Sequence, residues 1–290
     1  MLCGMTADGQ QRNVNRENSS AQEQRSSLFP PTFFKIREPQ IENSEVLKPV
    51  FMKLNQKRKP VRVVHIGDSH VRGHVFTVAA RQALEDAWGG QAVEPQKITY
   101  QTTALARETG RPGLVYHAIG INGATCQTFS TPEMIMRVST LKPDLVIISF
   151  GTNESIGRGY TDAGMRAGLD SLVSRLKRRN PSARFLLTTP PGCYLKQRTT
   201  RRYRGRVSYR YARIRNTRTR RIVDVERQYA RDNALALFDL YGTVGGDNFA
   251  LRNWQRAGMQ RADGVHFTVE GYQLMGRLLA EALIEARDQK

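Results

Sequence analysis

A serine, a histidine and an aspartate are placed where they could cleave an ester. Ser69 follows the apolar run 63–66 through Gly67-Asp68, so a buried strand is expected to end just before it. A serine at a strand end can act as a nucleophile if a general base removes its proton. His266 can be that base near neutral pH, and Asp263 can fix its tautomer and stabilise the imidazolium. The chemistry of this set is acyl transfer.

Acyl transfer also needs donors for the oxyanion of the tetrahedral intermediate. The candidates are the backbone N–H groups of Ser69 and Gly123 and the side-chain amide of Asn153. The nearby Gly120 is better explained as a glycine at a strand end. Asn153 belongs to Gly151-Thr152-Asn153-Glu154, which follows another apolar run. Losing one such donor typically costs about 2.7–4 kcal/mol of transition-state stabilisation.

Five apolar runs predict strands, and helical patterns separate them. The strands are expected at about 61–67, 114–119, 144–150, 184–189 and 234–240. Apolar strands that alternate with amphipathic helices are typical of a parallel sheet covered on both faces. Ser69, Gly123 and Asn153 each follow such a strand, and Asp263 and His266 precede the last helix. Since open parallel sheets carry their sites at the carboxyl ends of the strands, we expect these residues to gather there.

One domain is predicted for residues 46–290, with right-handed crossovers between its strands. Residues 1–45 are polar and rich in Gln, Asn, Ser, Glu and Arg, which predicts a disordered segment or a linker. Its aromatic residues Phe29, Phe33 and Phe34 could dock on the domain. No stretch approaches the roughly 18 consecutive apolar residues that would cross a bilayer.

The candidate site residues form motifs that resemble those of a known family. Gly67-Asp68-Ser69, Gly123, Gly151-x-Asn153 and Asp263-x-x-His266 are similar to the four motif blocks of the SGNH (GDSL-type) hydrolases, in that family's order. The resemblance implies an α/β fold, a three-layer α/β/α sandwich with a doubly wound, flavodoxin-like, five-stranded parallel sheet. It also implies ester hydrolysis without a metal or other cofactor. The implied roles are a catalytic triad of Ser69, Asp263 and His266 and an oxyanion hole of Ser69, Gly123 and Asn153.

Details of the motifs resemble the branch that contains bacterial peptidoglycan O-acetylesterases. They are Gly67-Asp68-Ser69-His70, Ile121-Asn122-Gly123-Ala124, Gly151-Thr152-Asn153-Glu154 and the ending Asp263-Gly264-Val265-His266-Phe267-Thr268-x-x-Gly271-Tyr272. This branch implies removal of small acyl groups, above all O-acetyl, from peptidoglycan or another cell-surface polysaccharide. Alternatives within the enzyme class are another ester, such as xylan acetate or a lipid, and acyl transfer to a sugar. A peptidoglycan substrate requires a periplasmic, secreted or cell-surface enzyme, yet residues 1–5 are too short for the apolar core of a signal peptide.

The formal net charge is +19, and much of the excess lies in one segment. Between Lys196 and Arg221 there are twelve basic residues and no acidic ones. Interleaved tyrosines would suit a polyanion, and the candidate substrate-binding residues are Arg198, Arg201, Arg202 and Tyr203. We interpret the segment as a cleft wall that attracts an anionic glycan, in preference to a solvated loop or a nucleic-acid site. A polyanion-binding protein on a hydrolase scaffold is the alternative from another class.

Several other polar residues are better explained structurally. His65 and His117 lie within predicted strands and are expected to be hydrogen-bonded core residues, and Glu154 is expected to be solvated. His70 and His74 have the i,i+4 spacing of a zinc site, but no third ligand is in register, so no metal is expected. The cysteines (Cys3, Cys126 and Cys193) exclude a disulfide framework, and two free thiols are favoured over a bond between the last two.

Overall fold

A computed structural model of the chain describes residues 28–95 and 103–289. Its main sheet contains the strands β1 Ile41–Glu42, β2 Pro60–Gly67, β3 Thr103–Ala104, β4 Gly113–Gly120, β5 Leu145–Ser149, β6 Arg184–Thr188 and β9 Ala236–Phe238. Two further strands, β7 Tyr194–Tyr203 and β8 Arg206–Arg215, form a separate antiparallel hairpin. The helices are α1 Lys48–Gln56, α2 Ser69–Arg72, α3 Val75–Trp88, α4 Cys126–Phe129, α5 Pro132–Ser139, α6 Thr152–Ile156, α7 Asp162–Arg179, α8 Arg218–Asp232, α9 Leu240–Thr243, α10 Gly246–Arg256 and α11 Val269–Asp288.

The main sheet has the spatial order β1-β9-β6-β5-β2-β4-β3. Its five central strands are parallel, and two-residue antiparallel strands close its edges. If the five parallel strands are numbered 1 to 5 in chain order, their spatial order across the sheet is 2-1-3-4-5, which is the flavodoxin-like order. The predicted α/β fold with a doubly wound parallel sheet is therefore confirmed. The chain reverses direction across the sheet between β2 and β5, so the residues after β2 lie at the topological switch point, where such folds bind ligands.

Both faces of the sheet are buried because alternate residues of each strand enter different cores. On β5, Leu145 and Ile147 face a core that includes α3, α10 and α11. Val146 and Ile148 face the opposite core, which includes α5, α7 and α8. A strand that is buried on both sides must be apolar at every position, which is why these strands stand out in the sequence.

The folded domain begins earlier than the predicted boundary at residue 46. Phe29 and Phe33 are buried, and the Phe33 ring packs edge-on against Trp254 with centroids 5.2 Å apart. Ile41 pairs with Phe238 in the edge strand β1. The prediction of disorder for residues 1–45 is therefore wrong for residues 28–45, because a few apolar side chains anchor an otherwise polar stretch. Residues 1–27 lie outside the described part.

The basic segment is not the irregular loop that its polar composition suggests. Residues 196–215 lie in β7 and β8, which pair in register from Tyr194–Arg215 to Tyr203–Arg206, and all of them are exposed. Its last residues, 218–221, begin α8. Within the described ranges, no helix is long and apolar enough to cross a membrane.

Candidate active site

Ser69 stands at the sharp turn between β2 and α2. Asp68 caps α2, and its carboxylate accepts a hydrogen bond of 2.9 Å from the His70 N–H. Gly67 is needed at the end of β2, since a Cβ there would lie 2.4 Å from Val71 Cγ2 and 2.6 Å from the Ser149 carbonyl oxygen. The turn therefore fits tightly between β5 and α2, which fixes the direction in which Ser69 leaves the sheet.

His266 and Asp263 meet Ser69 in one hydrogen-bonded chain. Ser69 Oγ lies 3.0 Å from His266 Nε2, and His266 Nδ1 lies 2.8 Å from Asp263 Oδ2. The other carboxylate oxygen of Asp263 accepts from the N–H groups of Val265 and His266, both at 2.8 Å. Burial raises the pKa of Asp263, but these two N–H groups and the His266 ring outweigh it and hold the pKa at about 2. The aspartate is therefore ionised and oriented beneath the imidazole.

Asn153 is held between the loops that follow β2 and β4. Its Nδ2 donates to the Ala124 carbonyl oxygen at 3.0 Å and to Asp68 Oδ2 at 3.3 Å. Gly123 has φ +73°, a conformation that favours glycine, and no atom lies within 4 Å of the position that a Cβ would occupy. The structure thus links the three loops that bear the predicted oxyanion donors, and space remains beside Gly123.

A family model places this chain among known proteins. Residues 66–274 match the GDSL-like lipase/acylhydrolase family model. The chain belongs to this family. A search of curated protein sequences found no match.

Solved structures confirm the fold at low sequence identity. A structure titled "Peptidoglycan O-acetylesterase in action" shares 19% identity with this acylhydrolase at a TM-score of 0.65, covering 91% of this chain and 100% of its own. A carbohydrate esterase family 3 protein from Talaromyces cellulolyticus shares 16% identity at a TM-score of 0.50, covering 79% and 99%.

Glu154 was expected to be solvated, but in this acylhydrolase it is largely buried and bridges two loops. Its carboxylate accepts from the N–H of Gly151 at 2.9 Å and from the N–H of Cys126 at 2.8 Å. Burial raises the pKa of Glu154, against the opposing effect of these hydrogen bonds. Glu154 therefore ties the loop of Asn153 to the loop after Gly123. The sequence signal for the bond to Gly151 was an acid three residues after a glycine N-cap, because a side chain at that position can reach back to the helix start.

The histidines near Ser69 are buried beside the site and are not part of the hydrogen-bonded chain. His70 bonds Tyr272 Oη through Nδ1 at 2.9 Å, and its ring centroid lies 5.6 Å from that of His266. Burial lowers the pKa of His70 to about 3, so this ring is neutral. Burial also raises the pKa of the neighbouring Asp68 to about 7. No three His, Cys, Asp or Glu side chains within the described residues are grouped as metal ligands.

The predictions for the other histidines and for the cysteines are confirmed where the structure describes them. His65 is fully buried and bonds Tyr116 Oη at 2.7 Å and Ser149 Oγ at 2.6 Å. His117 is buried and accepts from the Ala106 N–H at 3.1 Å. The two cysteines within the described ranges, Cys126 and Cys193, are free and buried.

A cavity of about 430 Å³ opens beside Asn153. It lies between α4, the loop after α6 and the first turns of α7. Polar side chains of its lining include Thr125, Gln127 and Ser171, and Met165 and Tyr160 supply apolar surface. Such a mixed lining suits a sugar ring, which has polar edges and apolar faces.

The predicted substrate-binding residues lie on the hairpin rather than among the three loops around Ser69. Neighbouring residues of a strand point to opposite faces, so Arg198 and Arg202 share one face while Arg201 and Tyr203 share the other. The four residues therefore do not form one surface. The hairpin base does reach the site, since the Tyr194 N–H donates to the Gly264 carbonyl oxygen at 2.7 Å, within the loop that bears Asp263 and His266.

Proposed function

We propose that this acylhydrolase is a serine esterase that removes small acyl groups, above all O-acetyl, from a carbohydrate, namely peptidoglycan or another cell-surface polysaccharide. The observation that carries the proposal is the chain of hydrogen bonds from Ser69 Oγ through the His266 ring to Asp263. Ser69 is the nucleophile, His266 the general base and Asp263 the acid that orients it. On a peptidoglycan substrate the enzyme would act in the periplasm or at the cell surface.

The reaction proceeds through an acyl-enzyme. His266 Nε2 takes the Ser69 proton while Oγ bonds to the ester carbonyl carbon, which leaves a negative charge on the carbonyl oxygen. When the intermediate collapses, the bond to the sugar oxygen breaks and His266 gives that oxygen its proton. Water then attacks the acyl-enzyme and loses a proton to His266. Release of acetate and return of the proton to Ser69 complete the cycle.

Three donors are proposed to stabilise the charged oxygen. They are the N–H groups of Ser69 and Gly123 and the side-chain amide of Asn153. Of the two Asn153 bonds, the longer one, to Asp68 at 3.3 Å, is the one that a substrate oxygen can replace. The bond to Ala124 would be retained and would keep the Asn153 amide directed at the substrate oxygen that replaces Asp68.

Support for a carbohydrate substrate comes from two sources. The structural neighbours include proteins titled as a peptidoglycan O-acetylesterase and a carbohydrate esterase. The cavity beside Asn153 offers polar and apolar surface next to the proposed oxyanion donors.

The deciding experiment measures acetate release from O-acetylated peptidoglycan and from acetylated xylan. Ser69→Ala should reduce the rate at least about a thousandfold on the preferred polymer, because the nucleophile is lost. Ser174→Ala is the matched control, since its hydroxyl donates only to the Ser171 carbonyl oxygen on α7 and should leave the rate unchanged. Retained activity in Ser69→Ala would remove Ser69 as the nucleophile.

The acyl group and the acceptor are tested on model esters. Turnover of p-nitrophenyl acetate should exceed that of the octanoate, and faster octanoate turnover would favour a lipid ester. If added oligosaccharide takes up labelled acetyl in place of water, the enzyme is a transferase.

A further inference from the structure

The β7–β8 hairpin has two faces, and they differ in how they meet the active site. From the pairing register, the residues that share a side with Tyr194, here named the Tyr194 face, are Lys196, Arg198, Thr200, Arg202, Val207, Tyr209, Tyr211, Arg213 and Arg215. The opposite Leu195 face bears Gln197, Thr199, Arg201, Tyr203, Arg206, Ser208, Arg210, Ala212 and Ile214. Each face therefore presents a separate row of side chains.

The hairpin carries an unbalanced positive charge. It has nine basic residues and no acidic ones between Tyr194 and Arg215. Among the described residues, Arg215 is the one hairpin cation with an acidic side chain within 4.0 Å, at 3.5 Å from Asp247. Exposed cations without an acidic partner attract a molecule with regularly spaced negative charges. The same charge repels a second copy of this hairpin.

Aromatic side chains lie among these cations. Tyr209 and Tyr211 are 56% and 70% exposed on the Tyr194 face, and the Arg198 guanidinium stacks over the Tyr209 ring at 4.7 Å. Exposed tyrosines offer a flat surface with a polar edge, which suits the face of a sugar ring. The Tyr194 face therefore combines charge for an anionic group with surface for a ring.

The Tyr194 face is continuous with the loop that bears Asp263 and His266. A Cβ placed on Gly264 would lie 3.0 Å from Tyr194 Cβ and 3.3 Å from Arg213 Cδ, so both residues pack against that loop. Gly264 has φ +76°, a conformation that favours glycine, and together with this contact it leaves little room for another residue. Arg202 lies eight residues farther along β7, roughly 27 Å away at about 3.3 Å per residue.

We infer that the Tyr194 face of the hairpin binds a polysaccharide that bears carboxylate groups and guides its acylated hydroxyls toward Ser69. This inference rests on the proposed function and specifies its substrate class. Its support is that Lys196, Arg198 and Arg202 share the face on which Tyr194 and Arg213 pack against the Gly264 loop. Nucleic acid would match the charge, but its backbone carries no carboxylic ester for Ser69 to attack. An anionic polysaccharide supplies both the charge and the O-acyl group.

Two triple variants test whether the Tyr194 face, and not the Leu195 face, binds the polysaccharide. Lys196→Gln, Arg198→Gln and Arg202→Gln remove three charges from the Tyr194 face, and Arg201→Gln, Arg206→Gln and Arg210→Gln remove three from the Leu195 face. The measured quantity is the kcat/KM for O-acetylated polygalacturonate divided by that for p-nitrophenyl acetate. The ratio should fall at least about tenfold in the Tyr194-face variant and stay within about twofold of the wild type in the other. Equal losses, or no loss in either, would overturn the inference.

Binding without turnover separates this inference from the proposed function. Unacetylated polygalacturonate should bind the Ser69→Ala protein, more weakly as the salt concentration rises, and the Tyr194-face substitutions should weaken it at least about tenfold. If the wild type cleaves no acetate ester, the proposed function fails while this binding result still decides the role of the face. Tighter binding of a single-stranded DNA oligonucleotide than of polygalacturonate at physiological salt would overturn the choice of partner. Unfolding midpoints of both triple variants near the wild-type value would show that the changes do not act through the fold.

Discussion

At the carboxyl edge of the sheet polar side chains are paired with one another, whereas those of the β7–β8 hairpin face solvent. Asp263 accepts three hydrogen bonds, and Asn153 and Glu154 each link two loops. The hairpin cations have few acidic partners among the described residues, and their arrangement is set mainly by strand pairing. The side chains at the edge are therefore held in fixed positions, as the proposed cleavage of a single bond requires. The hairpin instead exposes its charges, as the proposed recognition of a long polymer requires.

The two regions also differ in how a substitution should act. At the edge a change of one atom breaks a bond that positions another group, so its effect is large and specific. On the hairpin, neighbouring cations partly compensate for the loss of a single charge. Only the loss of a whole row of charges is therefore expected to weaken binding. Substitutions in each region test this difference.

The largest effect is expected from Asp263→Asn. The two backbone N–H groups can still bond the amide oxygen, but the amide nitrogen then faces His266 Nδ1 and favours the wrong tautomer. The kcat for p-nitrophenyl acetate should fall about 10³- to 10⁴-fold, with the unfolding midpoint little changed. Asp247→Asn, at the hairpin base, is the control and should alter kcat less than about threefold. A loss of tenfold or less in Asp263→Asn would show that Asp263 does not orient the base.

Asn153→Ala should have the next largest effect on catalysis. It removes one proposed oxyanion donor, so kcat should fall about 10²- to 10³-fold, equivalent to about 2.7–4 kcal/mol. KM should change little, because the donor acts on the charge that develops during reaction. Asn248→Ala, an exposed change beside the hairpin base, is the comparison. A rise in KM without a loss of kcat would assign Asn153 to substrate binding instead.

The carboxyl edge of the sheet could be predicted from sequence because Ser69, Gly123 and Asn153 follow strands that are largely apolar. The end of each predicted strand agrees with the structure to within two residues, and Ser69, Asp263 and His266 meet as expected. Each motif is local in sequence, and the parallel sheet brings the motifs together. The fold class was therefore enough to predict that their residues lie close to one another. The resemblance to the SGNH hydrolases implied the same site residues.

Other features depended on contacts that no local pattern reveals. Glu154 was expected to be solvated because nothing in its own segment shows that Cys126 lies opposite. Residues 28–45 were expected to be disordered because the stretch has few apolar side chains, and its hydrogen bonds go to residues far away in sequence, as from the Phe34 N–H to Asn253 Oδ1 at 2.9 Å. The hairpin was not foreseen, since both faces of β7 and β8 are polar and the alternation that normally marks a strand is absent.

Glycine substitutions should distinguish the two regions by stability. A Cβ at Gly120 would lie 2.1, 2.5 and 2.7 Å from backbone atoms of Val71 and Arg72, whereas at Gly205, in the hairpin turn, it would meet nothing within 4 Å. Gly120→Ala should lower the free energy of unfolding by about 3 kcal/mol, because the backbone of α2 must move. Gly205→Ala should lower it by about 1 kcal/mol, from its positive φ alone. Chemical denaturation measures both, and equal losses would contradict the tight packing proposed for the Ser69 turn.

A more gradual effect, spread over several pH units, is the dependence of stability on pH that comes from His65. Burial lowers the pKa of His65 to about 3 in the folded protein, while in the unfolded chain it stays near 6.5. The unfolded state therefore binds one more proton between these values, and the stabilising contribution of neutral His65 is lost as the pH falls from about 6.5 toward 3. A single proton gives a slope of about 1.4 kcal/mol per pH unit.

This slope is isolated by comparing the wild type with His65→Gln, whose amide can still bond Tyr116 or Ser149. His70 and Asp68 also titrate differently in the folded state, with pKa values of about 3 and about 7, but they are present in both proteins and cancel in the difference. The wild type should lose stability relative to the variant by up to about 1.4 kcal/mol per pH unit below pH 6.5. A difference that stays constant with pH would mean that His65 is protonated in the folded sheet. The difference in stability between the wild type and Arg210→Gln should stay constant with pH, because that substitution leaves His65 in place.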